Sequence, residues 1–140
     1  MKLRNPEIKD NEAWKPFIAV VYLSNISADS NPGSRDALVS FINTYPRNLR
    51  ATVALALSVV KWWLIAVRKA PIEQEFLANC GCCCYFSHCY TCPIEDTHGE
   101  GNCISEDESL KGCLATYNSI LKVYTEYFNA LPEKYKQRLA

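Results

Sequence analysis

The first 79 residues contain no cysteine, and all eight cysteines of the chain lie between Cys80 and Cys113. A disulfide framework spreads its half-cystines along the chain, so this clustering favours a metal site over disulfides. Residues 1–16 carry charges of both signs and lack an apolar core of signal-peptide length, which points away from secretion and towards a reducing compartment. No lysine or arginine occurs from Ala70 to Leu110, so that segment has nothing with which to grip a phosphate backbone. Internal repeats and low-complexity tracts are also missing, which excludes solenoids and arrays.

What is present suits one small domain. At 140 residues and 49% hydrophobic, the chain can bury roughly two-thirds of the surface its unfolded form exposes. Its formal net charge of zero conceals an asymmetry. Residues 1–69 are net +5, 70–110 are net −8 and 111–140 are net +3. The cysteine region is therefore the acidic pole, more so if deprotonated thiols surround a divalent ion.

The expected fold is mainly α, with residues 1–16 as a polar arm, helices over 34–69, a cysteine-rich metal knuckle over 80–104 and C-terminal helices over 105–139. Phe17–Leu23 is rich in β-branched and aromatic residues and reads as either a short strand or a buried helical turn. Asn31-Pro32-Gly33 is a turn, with Ser34 placed to cap a helix beginning at Arg35. Ala37, Leu38, Phe41, Ile42 and Tyr45 share one face of that helix, which ends at Pro46. The next helix runs from about Arg47 to Lys69 before Pro71, and its polar residues Arg47, Arg50, Ser58, Lys61, Arg68 and Lys69 form one stripe about 100° wide. Ala51–Val67 is apolar enough to raise the question of a membrane span. It is only 17 residues long and contains Lys61, so it reads as a core helix with its polar stripe towards water, and Trp62 and Trp63 read as core residues.

After the cysteines, Ser105 to Glu108 has the pattern of a capping box. Leu110, Cys113, Leu114, Tyr117, Leu121, Tyr124, Phe128 and Leu131 then form a helical stripe up to Pro132, which places Cys113 in packing and not in a ligand set. A short helix from Pro132 to Leu139 closes the chain, with proline at its first position.

Two cysteine pairs stand at C-x2-C spacing, Cys80/Cys83 and Cys89/Cys92, with Cys103 beyond a ten-residue gap. That spacing lets two sulfurs of one tight turn reach a tetrahedral zinc ion at about 2.3 Å. The ligands of one structural Zn²⁺ are expected from Cys80, Cys83, Cys89, Cys92 and Cys103, with Cys82, Cys84, His88 and His98 also within reach. Catalytic zinc motifs are not matched. His98-Gly99-Glu100 comes after Cys89-x-x-Cys92 where a zinc deaminase needs it to precede a Pro-Cys-x-x-Cys, and no two histidines share a helical turn as in zincins. The expectation is a protein that is not an enzyme.

The run Ala54-Leu-Ala-Leu-Ser-Val-Val-Lys61-Trp62, then Cys80-Gly-x-Cys83, then Cys89-x-x-Cys92-Pro93 and Cys103, resembles small proteins encoded by tailed bacteriophages. Those carry an Ala/Leu/Ser–Lys-Trp helix, a C-G-x-C, a C-x-x-C-P, a further cysteine and a helix. The resemblance covers about residues 50–105; Cys82 and Cys84 depart from its simple pattern. It implies an accessory protein in the host cytoplasm and supplies no activity to carry over. An inhibitor of a host defence system, anti-CRISPR-like and acting by protein–protein binding, is then the first expectation, with the acidic 73–108 region facing a basic channel on its target. The alternatives are a nucleic-acid-binding regulator scaffolded by the knuckle and a phage structural or assembly protein.

Overall fold

The computed structural model describes residues 14–26, 34–67, 80–86, 92–94 and 109–139. Among them are six helices and no strand: α1 (Lys15–Ile26), α2 (Ser34–Asn43), α3 (Arg47–Ala66), α4 (Gly81–Tyr85), α5 (Leu110–Ala130) and α6 (Glu133–Leu139). The fold is mainly α.

α3 is the centre. From Thr52 to Ala66 every residue is buried, because α1, α2, α4 and α5 all pack against it. It is long and apolar enough to cross a membrane, and here its surface is spent on neighbouring helices. Each fully buried Val or Leu on it is worth about 1.5–3 kcal/mol of transfer free energy. Trp62 and Trp63 are both buried. The break from α2 sits at Pro46, which cannot donate a backbone hydrogen bond. Arg50 reaches back across this corner, its Nε donating to Tyr45 O at 2.9 Å, and so satisfies a carbonyl just past the end of α2.

Residues 17–23 are helical, which corrects the strand alternative. Trp14, Phe17, Val21, Ser24 and Asn25 are the buried positions, a three- and four-residue repeat. Half-buried Ile18 and Val20 flank this face and Tyr22 and Leu23 are exposed, and together they hide that repeat behind an apparent strand composition. Packing overrides the β-branched preference here. Phe17 stacks edge-on against Phe41 at 4.9 Å and Trp14 lies 6.0 Å from Tyr124, so aromatic contacts join α1 to both α2 and α5.

On α5 the buried residues are Gly112, Cys113, Thr116, Tyr117, Ile120, Tyr124 and Phe128. The stripe expected from the large apolar residues is rotated towards small ones, leaving Leu110 exposed and Leu114 and Leu121 half-buried. Small side chains let α5 run close along α3, its most extensive contact. Cys113 is a packing residue within this face. α6 begins just after Pro132, whose carbonyl accepts from Tyr135 N at 3.0 Å and Lys136 N at 3.2 Å. The capping-box residues Ser105–Glu108 lie outside the described residues, and Ser109 precedes α5.

Candidate cysteine centre

The C-x2-C turn of Cys80 and Cys83 folds as the start of α4. Cys80 is extended, with φ −117° and ψ 142°, and its carbonyl accepts from Cys84 N at 3.0 Å. α4 lies directly on α3 at Gly81. A Cβ there would strike the Ala54 carbonyl oxygen and come within 2.6 Å of the Leu57 Cβ, so only glycine permits this approach.

Close contact brings the sulfurs onto two polar side chains of α3. Ser58 Oγ is 2.8 Å from Cys80 Sγ, accepts the Cys82 backbone N–H at 3.0 Å and lies 3.2 Å from Ala54 O of its own helix. One turn on, Lys61 is fully buried, and Cys80, Cys83 and Cys84 are the groups whose charge acts on its ammonium. This corrects the reading of the α3 stripe as solvated. Its Ser58–Lys61 portion is buried, with α4 packed on α3 and Ser58 Oγ set against the Cys80 sulfur.

The Cys83 thiol hydrogen-bonds to Cys80, and with Lys61 and Ser58 alongside, this draws the Cys80 thiol down to about 6 against the opposing effect of burial. Cys82 is the reverse case. Its S–H bonds to the Cys92 sulfur, and this together with burial holds it well above the ordinary thiol value. Burial pushes the Lys61 ammonium down, and the neighbouring sulfurs oppose that shift. The centre can therefore hold negative charge on Cys80 and keep Cys82 protonated.

Of the expected ligands, the structure brings Cys80 and Cys83 together and sets Cys92 beside Cys82. Cys89 and Cys103 lie outside the described residues, as do His88, His98 and the acidic positions between 73 and 108. Among the described residues no three Cys, His, Asp or Glu side chains are grouped to hold a metal ion, and none of the six described cysteines is in a disulfide. Cys82 reads in the sequence as an extra cysteine, yet it is the interior sulfur, 1% exposed, with Cys83 outermost. Ser58 and Lys61 enter the sequence reading as members of the Ala54–Trp62 run and of the polar stripe, and their three-residue spacing on that stripe is the signal that could have placed them at the site. Compared with known protein families, curated proteins and solved structures, the chain finds no match.

Proposed function

We propose that this protein is a non-enzymatic zinc-binding accessory protein whose cysteine centre is a structural metal knuckle and whose helical body binds another protein. The observation that carries the reading is that Cys80 and Cys83, at metal-ligand spacing, hydrogen-bond to each other with the Cys80 sulfur set on the buried Ser58 of the central helix. The buried Cys80 sulfur suits a closed structural site, since a catalytic zinc keeps an open position for water. A component of a host defence system is the first partner to test, as the phage resemblance implies. The nucleic-acid alternative is weakened because two members of the basic stripe are committed within the fold: Lys61 is buried and Arg50 holds the α2–α3 corner.

Native mass spectrometry of the protein purified without added metal, set against the denatured mass, tests the metal centre. The expected excess corresponds to one zinc with all thiols reduced. A denatured mass lowered by pairs of hydrogens, with no metal, would replace the knuckle by disulfides. With zinc established, capture of a defined host defence complex should be unaffected by added DNA or RNA. Salt-dependent binding of the isolated protein to nucleic acid would instead favour the regulator.

A further inference from the structure

The dithiol Cys80/Cys83 is built into the first turn of α4. Cys80 is the residue before the helix, extended at φ −117° and ψ 142°, and its carbonyl accepts from Cys84 N at 3.0 Å, so Cys83 stands one turn further on. Helix rise and radius put two such α-carbons about 5 Å apart. That lies inside the range of roughly 4.4–6.8 Å that a disulfide spans, so the two sulfurs can join with the turn intact. The polar form of this geometry is the capping box, in which the side chains before and three residues into a helix reach towards each other's backbone. Here both are thiols, and they hydrogen-bond to each other.

The two ends of the pair differ in access. Cys83 is exposed, whereas Cys80 is 7% exposed and its sulfur is 2.8 Å from Ser58 Oγ on α3. Gly81 between them is pressed on the Ala54 carbonyl, which fixes the turn against α3. The neighbouring Cys82 is aimed elsewhere, 1% exposed with its Sγ 4.0 Å from Ala54 O. An outer thiol open to solvent, with an inner one a helical turn away, is the arrangement of a thiol–disulfide exchange site. The first takes the incoming sulfur and the second displaces it. None of the six described cysteines is in a disulfide, so the pair is in its reduced state.

We propose that Cys83 is a modification site for low-molecular-weight disulfides of the glutathione class, and that Cys80 resolves the adduct into a Cys80–Cys83 disulfide. The Cys83 sulfur, its proton lost to solvent, attacks one sulfur of the small disulfide; the old S–S bond breaks and one small thiolate leaves. The Cys80 sulfur, likewise giving up its proton, then attacks Cys83 Sγ; the mixed disulfide breaks and the second small thiolate leaves. Two electrons pass from the protein dithiol to the small disulfide, and the two protons end on the released thiols. The exchange goes beyond the metal reading and needs no bound ion.

The test incubates the reduced full chain with oxidised glutathione in the presence of a chelator, quenches with acid, alkylates the remaining thiols and maps the cysteines by peptide mass. Wild type, Cys80→Ser, Cys83→Ser and Cys84→Ser are compared. The first wild-type product should have lost one pair of hydrogens, mapped to Cys80–Cys83. Cys80→Ser should stop at a glutathione adduct on Cys83. Cys83→Ser should lose the fast product and leave Cys80 unmodified on the same time scale, and Cys84→Ser should match wild type. Circular dichroism checks the helices of each variant, and the wild-type map decides where a variant is not helical. A first wild-type disulfide between other cysteines would overturn the proposal. So would an adduct on Cys80 in folded Cys83→Ser that forms as fast as the Cys83 adduct in Cys80→Ser, or a Cys80→Ser adduct that another cysteine resolves. Because the chelator takes metal out of the experiment, failure here leaves the zinc count by native mass spectrometry standing, and a chain that holds no zinc leaves the exchange standing.

Discussion

The two sides of α3 are held by different physics. Towards α1 and α5 the helix meets Trp14, Phe17, Ile120, Tyr124 and Phe128, and cohesion there is the packing of large apolar groups. Towards α4 it meets sulfur and backbone through Ser58, Lys61 and the bare Cα of Gly81. An apolar face tolerates exchange of one hydrophobe for another of similar volume. The cysteine face tolerates little, because its groups answer specific partners, Ser58 alone meeting Cys80 Sγ, Cys82 N and Ala54 O. One helix thus serves as a core strut on one side and a chemical platform on the other.

That contrast can be broken from either side. The largest effect should come from Phe128→Ala, which removes a fully buried ring beside Tyr124 and should cost about 3–5 kcal/mol in chemical denaturation, with or without zinc. Equal loss of metal affinity in this variant would mean the two sides are not separable. Gly81→Ala should cost about 1–3 kcal/mol, because α4 must lift from the Ala54 carbonyl. Unlike Phe128→Ala, it should also weaken metal binding, and a variant with unchanged cobalt affinity would show that α4 need not touch α3.

Tyr124→Phe sharpens the apolar side. The Tyr124 hydroxyl is buried and finds no hydrogen-bond partner among the described residues, so its removal should raise stability by about 1 kcal/mol. Burial holds its pKa above the ordinary 10.0, so the folded value exceeds the unfolded one. With the folded value above the unfolded one, the fold is at its full stability below the unfolded value and loses stability as pH rises beyond about 10, where the unfolded chain ionises first. Melting temperatures between pH 8 and 11 should therefore fall less steeply in Tyr124→Phe than in wild type; parallel curves would show that the hydroxyl is reached by water in the folded protein. The smallest effect belongs to Leu23→Ser on the outer face of α1, where a 68% exposed side chain should change stability by less than about 0.5 kcal/mol. A larger loss would show that α1 is covered on that face in solution.

Much of the helical layout was legible because it depends on local chemistry. Pro46 and Pro132 marked helix boundaries, and the three- and four-residue spacing of apolar groups marked α2, α3 and α5. α1 was ambiguous because its outer face is as apolar as its inner one, which erases the period that separates helix from strand. The burial of Gly112 and Thr116 was missed because small size, and not hydrophobicity alone, suits residues to the side of α5 that turns inward against α3.

At the cysteine centre the division is the same. Spacing by itself determined that Cys80 and Cys83 can share a partner, and residue type determined that thiols are the candidate ligands. Helical periodicity also placed Ser58 and Lys61 on one stripe. It could not say what covers that stripe, because a period orders residues around an axis and carries nothing about the neighbour across it. Only the tertiary structure decided that α4 lies there, close enough through Gly81 to put sulfur on Ser58, and that the solvated-looking Lys61 is buried.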